Sequence, residues 1–242
     1  MTLEVKQSTE DQTWGCEYKE LLSEMDMGKV QVCLVEISNL NKVATELVNK
    51  VQDTSWMTNL DPGAKRSYDR TVADTAQALV EVFKETLATN TIGKEFGEIM
   101  VSIGSTKALE VIFNHNILPI AELWKPQVKQ NEGFDFHTVC PSELINFGEA
   151  KFSSSKSPHG NAIDQAKGFI NDEKHLRDRV HLRDLVSKDA LSNLDEDSYG
   201  VVASFSINAE NPLLVLKNAI NSAKESLNSE KIKSVYLVGV TH

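Results

Sequence analysis

Two spacings of apolar residues divide the chain into predicted strands and helices. Short apolar runs rich in β-branched residues, typical of strands, occupy residues 29–38, 120–129, 133–139, 144–152, 200–207 and 234–240. Apolar residues that recur every three or four positions predict helices over residues 41–52, 68–88, 93–113, 161–188 and 212–229, the third of them as one helix or two. Asp-Pro-Gly at residues 61–63 is a turn signal before the second helix.

The order of these elements favours an α/β fold. From residue 93 onward the order is helix, three strands, helix, strand, helix, strand, and three successive strands followed by alternation indicate a mixed sheet flanked by helices. The pattern breaks at residues 89–93. We therefore divide the chain into an N-terminal α/β extension, residues 1–90, with a docking or regulatory role, and a second domain, residues 91–242.

Composition narrows the class of protein. The chain has 242 residues, 40% of them hydrophobic, which is enough for a full core. Its three cysteines (Cys16, Cys33 and Cys140) are odd in number and lack metal-ligand spacing, which fits a reducing compartment without disulfides or a zinc site. The polar N-terminus is unlike a secretory signal, and no apolar run approaches the roughly 20 residues of a membrane span. We expect a cytoplasmic protein without membrane contact.

Three charged residues stand out within the predicted strands of "GFDFHTVCPSELINFGEAKF", residues 133–152. Glu149 and Lys151 are two apart and project from one face, and a hairpin turning at Pro141 and Ser142 brings Asp135 close to them. Two adjacent carboxylates persist only with a proton or cation between them, so the pattern predicts a site for Mg²⁺ or Mn²⁺. A metal with a positioned water, held or deprotonated by the lysine, is equipment for phosphodiester hydrolysis.

The same residues resemble the motif of the PD-(D/E)xK nuclease superfamily. Asp135, thirteen intervening residues and then Glu149-Ala150-Lys151 match its spacing, with Phe134 where the motif's name has proline. The resemblance implies an αβββαβ restriction-endonuclease-like core. It also implies that Asp135 and Glu149 bind the metal with the carbonyl of Ala150 as a third ligand, and that Lys151 activates water or stabilises charge.

Two further positions match patterns of that superfamily. Many members carry a metal-binding glutamate on the helix before the sheet. "GKEFGE" offers Glu95 and Glu98, of which we favour Glu98 as a catalytic and metal-binding residue. Many also carry a glutamine in a Gln-x-x-x-Tyr pattern on the helix after the third strand. Here Gln165 precedes Phe169, so the catalytic glutamine carries over and the tyrosine hydroxyl does not.

A narrower resemblance concerns residues 92–169. "GKEFGEIM", "GFDFH" and "FGEAKF" in a small chain resemble the HamA nuclease subunits of Hachiman antiphage defence systems. This resemblance implies DNA as substrate and a helicase partner, HamB. A net charge of −10 is unfavourable for a nuclease that binds DNA alone and is consistent with a partner that engages the DNA.

Alternative interpretations accompany these residues. Glu-x-Lys also occurs at residues 4–6 and 17–19 without an upstream aspartate, and Glu149 with Lys151 can be a structural ion pair. Glu122 is a secondary ligand candidate, whereas a packed His137 is favoured over a ligand. The basic segment, residues 174–184, contacts phosphates or forms an ion-paired helix face with Asp178 and Asp184. Its candidate nucleic-acid contacts are Lys174, Arg177, Arg179 and Arg183.

The sequence therefore predicts a metal-dependent deoxyribonuclease with a helicase partner. Two alternatives stay open: a stand-alone restriction-type or junction-resolving nuclease, and a non-catalytic interaction subunit with a vestigial site. The first requires a strong basic cleft or a self-complementary dimer face. The second predicts loss of costly buried charges, whereas Asp135, Glu149 and Lys151 are all retained.

Overall fold

A computed structural model of the chain describes residues 2–89, 92–124 and 133–242. The strands are β1 (Leu3–Asp11), β2 (Cys16–Ser23), β3 (Val30–Ile37), β4 (Asn116–Ile117), β5 (Phe136–Val139), β6 (Ile145–Lys151), β7 (Tyr199–Ser206) and β8 (Ile232–Thr241). The α-helices are α1 (Leu40–Gln52), α2 (Pro62–Thr89), α3 (Lys94–Phe113), α4 (Ala121–Trp124), α5 (His159–Asn171), α6 (Lys174–Leu182), α7 (Lys188–Asp195) and α8 (Pro212–Ser226). A 3₁₀ helix covers Ser55–Asn59.

The strands form one mixed sheet in the order β1-β2-β3-β8-β7-β6-β5-β4. The strands β1, β2 and β3 are antiparallel, β3, β8, β7 and β6 run parallel, and β5 and β4 continue antiparallel from β6. The predicted α/β class with a mixed sheet flanked by helices is confirmed. Within the described ranges, no helix is both long and apolar enough to cross a bilayer.

Each face of the sheet is covered by its own helices. The helix α3 crosses one face and contacts seven of the strands, β2 to β8, and its residues are buried on almost every side. The helices α5 and α8 pack on the opposite face, over β6, β7, β8 and β3. Because strand residues alternate between these two apolar layers, any charged residue in the middle of β6 is forced into one of them.

The first ninety residues contain a hairpin that the sequence did not reveal. Almost every residue of β1 is exposed, so that strand lacks the alternation of apolar and polar positions that marks a strand with one buried face. The third strand, β3, is largely buried and pairs in parallel with β8, so the sheet is continuous across the boundary at residue 90. The docking or regulatory role of this region stays a prediction.

The strand predicted over residues 120–129 is wrong where the structure describes it. Residues 121–124 form the helical turn α4, whose Trp124 indole donates to the carbonyl of Pro119 at 2.9 Å, and residues 125–132 lie outside the described ranges. The first of the three successive strands is instead the two-residue β4. The helix predicted over 161–188 is also divided, because Glu173 adopts a left-handed conformation (φ 56°) between α5 and α6.

His115 makes the fold sensitive to acid. The ring is buried beyond the end of α3, with Nδ1 2.9 Å from the Thr138 hydroxyl and its centroid 4.7 Å from that of Tyr236. Burial lowers the pKa of His115 to about 4, so between pH 6.5 and about 4 the unfolded chain binds a proton that the folded chain excludes. The stabilisation from neutral His115, about 3 kcal/mol at most, is present above pH 6.5 and lost as the pH falls through this window.

We therefore expect urea unfolding to show a shallower loss of stability between pH 7 and pH 5 for His115→Gln than for the wild type. Glutamine retains hydrogen-bonding groups for Thr138 but takes up no proton in this range. Equal losses in the two proteins would show that His115 does not control the acid response.

Candidate active site

The hairpin of β5 and β6 sets the register of the site. Its turn closes through a hydrogen bond from the Cys140 N–H to the Leu144 carbonyl at 3.0 Å, so the turn predicted at Pro141 and Ser142 is confirmed. Phe136 pairs with Gly148, and a Cβ at Gly148 would lie 2.3 Å from Cε2 of the Phe136 ring. The phenyl ring of Phe136 thus lies directly over the backbone of Gly148. This contact favours the observed register of β5 and β6.

This register brings Asp135 beside Ala150. The Asp135 N–H donates to the Gly148 carbonyl at 2.9 Å, and the Ala150 N–H donates to Oδ2 of Asp135 at 2.7 Å. The carboxylate of Asp135 therefore replaces a backbone acceptor where β5 begins. It is held next to Glu149, the neighbour of Ala150 in the chain.

Glu149 is a fully buried carboxyl group with one unsatisfied oxygen. The residue has 0% exposure, and its Oε1 accepts from the Lys151 ammonium at 2.5 Å. The other oxygen, Oε2, is buried and has no hydrogen-bond partner among the described residues. An unsatisfied buried carboxylate oxygen is costly, so it indicates a group that the protein chain itself does not supply.

The electrostatics show that four ionisable groups act on one another. Burial raises the pKa of Glu149 well above its ordinary value, and the carboxylates of Asp135 and Glu98 raise it further against the opposing effect of Lys151. Burial alone lowers the pKa of Lys151, but Glu149, Asp135 and Glu98 outweigh it, and the pKa is raised. Lys151 is therefore an ammonium at neutral pH, which favours charge stabilisation over its predicted alternative role as a base.

Close packing of α3 against the end of β6 positions Glu98. A Cβ at Gly97 would lie 2.2 Å from Cγ of Phe152, so the phenyl ring packs directly on the helix backbone. Glu98, the next residue, is half-buried, and its carboxylate is 3.8 Å from the Lys94 ammonium. Glu95 is exposed. The structure thus places Glu98, rather than Glu95, where it influences Glu149 and Lys151.

Gly97→Ala is expected to destabilise the fold by about 1–3 kcal/mol, because the added methyl group must displace Phe152 or the helix. The matched change, Gly104→Ala in the same helix, has no atom within 4 Å of the added Cβ and should stabilise the fold by about 0.5–1 kcal/mol. Chemical denaturation of both variants measures the two effects. Equal stabilities would contradict close packing at Gly97.

The donor set fits a hydrated hard cation. Over the described ranges, no group of three or more His, Cys, Asp or Glu side chains is arranged to hold a metal ion. Mg²⁺, however, commonly takes only one or two carboxylates and keeps several waters. The unsatisfied Oε2 of Glu149 and the adjacent Asp135 suit such an ion.

The remaining candidate residues differ in the element that carries them and in the face of the sheet that they approach. Glu149 and Lys151 alternate with Ala150 and Phe152, which pack in the layer containing α3, so they point towards the face covered by α5. Gln165 is half-buried at the margin of the buried side of α5. Glu122 lies on α4 rather than on a strand. The roles assigned to Glu98, Gln165 and the Ala150 carbonyl stay predictions.

Much of the charge in the basic segment is used within the protein. Arg179 and Arg183 form ion pairs with Asp195 and Asp184, and the Lys174 ammonium lies 3.8 Å from the centroid of the Phe169 ring. Arg177 is exposed. The four proposed nucleic-acid contacts stay predictions.

Asp178 and His137 form a buried pair below that segment. Asp178 faces inward and pairs with Nε2 of His137 at 2.9 Å. His137 has 0% exposure and packs against Trp124 and Phe147, as the packed interpretation of this histidine requires.

One residue near the site was not identified from the sequence motifs. His159 begins α5, and its ring lies 5.8 Å from that of Phe205, the partner of Lys151 on the neighbouring strand. The signal was present in the helical spacing, because His159 falls on the same side of α5 as the buried Ala162, Ile163 and Ala166.

Comparisons with protein-family models, with curated proteins and with solved structures give no significant match to this chain. The site geometry and the residue pattern are therefore the basis for a functional conclusion.

Proposed function

We propose that this chain is a divalent-metal-dependent nuclease of the PD-(D/E)xK type that hydrolyses phosphodiester bonds in DNA. The supporting observation is the buried Glu149, which has one oxygen on Lys151, the other without a protein partner, and Asp135 alongside. A purely structural Glu149–Lys151 ion pair gains nothing from the nearby carboxylate of Asp135, which disfavours the ionised form of Glu149. Two neighbouring carboxylates are, in contrast, what a site for a divalent cation requires.

In this proposal, different residues bind the metal, stabilise charge and orient the reactants. Asp135 and Glu149 would hold Mg²⁺ or Mn²⁺, with the Ala150 carbonyl as a third ligand and Glu98 acting through water. The bound metal supplies Lewis-acid polarisation and a bound water of lowered pKa. Lys151, held by Glu149 and protonated at neutral pH, stabilises the negative charge that develops on the phosphoryl oxygens. Gln165, on the helix facing this side of the sheet, orients water or substrate.

The order of elements around the site supports this proposal. The sequence α3, β4, β5, β6, α5, β7 follows the αβββαβ order of the superfamily core, if the short helices α4, α6 and α7 are counted as insertions. The two carboxylates lie on the central strands of that order, β6 and the start of β5.

The charge balance favours a partner that delivers the DNA. The chain has a net charge of −10, and at the site the carboxylates of Asp135 and Glu149 outnumber the ammonium of Lys151. A polyanion is repelled by such a surface unless cations or a basic partner intervene. We include in the proposal a helicase partner of the HamB kind, as in Hachiman defence systems.

A plasmid assay tests the proposal. The assay is run in two settings, with the helicase partner and without it. In at least one of them, supercoiled DNA should be cleaved in Mg²⁺ or Mn²⁺ and remain intact in EDTA. Lys151→Met should abolish cleavage, because methionine keeps the length of the side chain but removes its charge.

The chain offers its own matched control in the Glu17-x-Lys19 pattern of β2, where Lys19 pairs with Glu36 at 2.5 Å. Lys19→Met removes a paired lysine from the same short motif, far along the sheet from β6, and should cleave like the wild type. If Lys151→Met also cleaves like the wild type in both settings, the nuclease proposal is wrong.

A further inference from the structure

His159 occupies the end of α5 that meets the proposed active site. It shares the sheet-facing side of the helix with Ala162, Ile163 and Ala166, yet it is only half-buried. Its ring centroid lies 5.8 Å from that of Phe205, which pairs with Lys151 across β6 and β7. Because paired residues of neighbouring strands are about 4.8 Å apart and point the same way, His159 and Lys151 are both neighbours of Phe205 on the face to which Glu149 points.

The hydrogen bonding of His159 leaves one ring nitrogen available. Its Nδ1 lies 3.1 Å from the carbonyl oxygen of Ser157. A carbonyl only accepts, so Nδ1 carries a proton and donates it. Nε2 has no hydrogen-bond partner within the described parts of the chain. A histidine with one N–H fixed to a backbone carbonyl has its other nitrogen oriented for a ligand.

The turn that precedes His159 is fastened to the end of β7. The Ser153 N–H donates to the Ser206 hydroxyl at 2.9 Å, and that hydroxyl donates to the Ser153 carbonyl at 3.1 Å. The Asn208 amide donates to the carbonyls of Ser153 and Lys156. Residues 153–157 are thus held from several directions, so the orientation of His159 is set before any ligand binds, which lowers the entropic cost of binding.

The charge of the site calls for a donor of this kind. Asp135 and Glu149 together outnumber Lys151, which is already engaged by Glu149, while Glu98 has its own cation in Lys94. A phosphodiester placed here needs hydrogen-bond donors that do not also hold the cation. Two such donors lie here: the exposed ammonium of Lys156, in the turn of residues 153–157, and the imidazole of His159, at the start of α5.

We propose that His159 contacts the DNA substrate, with Nε2 donating to a phosphate oxygen of the strand bound at Glu149 and Lys151. In this contact both ring nitrogens donate, Nδ1 to the Ser157 carbonyl and Nε2 to the phosphate. This inference rests on the proposed nuclease function and extends it by naming a substrate-contacting residue outside the family motif.

Single-turnover cleavage of a short labelled duplex, in the setting where wild-type protein cuts DNA, tests this contact. His159→Phe keeps an aromatic ring against Phe205 and removes both nitrogens. We expect the half-saturating protein concentration to rise about tenfold, as for loss of one charge-assisted hydrogen bond, with an unchanged melting temperature. The control, Asn161→Ala, alters an exposed residue of the same helix and should have no effect.

Duplexes carrying a single neutral methylphosphonate at successive positions locate the contact. At the phosphate that His159 contacts, wild type and His159→Phe should cleave equally, while they differ about tenfold on the other duplexes. If the two proteins have equal half-saturation on unmodified DNA, or if the difference persists at every position, the inference is wrong and the nuclease function stands. If wild-type protein cleaves no DNA in any setting, the proposed function fails and this contact fails with it.

Discussion

Glu149→Gln is expected to abolish DNA cleavage and yet stabilise the metal-free protein. Glutamine retains an oxygen that accepts from Lys151 but cannot ligate a cation as a carboxylate does, so we expect a loss of activity of at least about 100-fold. The same change replaces a buried carboxyl group whose ionised form is disfavoured by burial and by the carboxylates of Asp135 and Glu98. We expect the melting temperature in EDTA at pH 8 to rise by about 2–4 °C, corresponding to about 1 kcal/mol.

The pH dependence of this effect has a definite sign. Because the pKa of Glu149 is raised in the folded state, the folded protein holds a proton that the unfolded chain has released between the ordinary glutamate pKa and the raised one. Wild-type stability in EDTA therefore falls as the pH rises through this window, and Glu149→Gln lacks that fall. Glu17→Gln, in the half-buried Glu17-x-Lys19 pattern of β2, should change neither property. Strong destabilisation by Glu149→Gln in EDTA would show instead that Glu149 is a structural ion-pair partner.

Asp178→Ala is expected to be the most destabilising of these substitutions. The Asp178 carboxylate and the His137 ring are both buried, 2.9 Å apart, and together fasten α6 to β5. The substitution removes the carboxylate that pairs with the buried Nε2 of His137, at a cost of about 3–5 kcal/mol, and the melting temperature should fall by roughly 10 °C.

Asp195→Ala provides the matched control for Asp178. Asp195 is the carboxylate partner of Arg179, also on α6, but that pair lies at the surface, and its removal should leave thermal unfolding unchanged. Similar melting temperatures for the two variants would contradict the idea that the inward pair, rather than the outward one, holds α6 in place.

The sequence was most informative where one local pattern determined the result. The hairpin of residues 133–152 follows from apolar alternation and turn residues, and its register brings Asp135 to Ala150 and Glu149. The apolar run at residues 120–124 was misassigned because a short run fits a helical turn as well as a strand. The strand β1 was missed because its side chains face solvent, and its pairing with β2 depends on backbone hydrogen bonds that no residue pattern records.

Contacts between distant segments could not be predicted from the sequence. The need for glycine at position 97 arises from Phe152, 55 positions later in the chain, and becomes visible only when α3 lies on β6. The pairing of His137 with Asp178 and the position of His159 over Phe205 are of the same kind. In each case helical or strand periodicity gave the face on which the residue lies, and tertiary packing chose its partner.

The parallel pairing of β3 with β8 makes the two halves of the chain mutually dependent. Removal of residues 1–90 would turn β8, eight of whose ten residues are buried, into an unpaired sheet edge that favours intermolecular pairing. Residues 91–242 are therefore not expected to fold as an independent domain. A protein that binds the N-terminal hairpin, β1 and β2, would contact the same continuous sheet that carries Glu149. Glu149 lies on β6, two strands beyond β8.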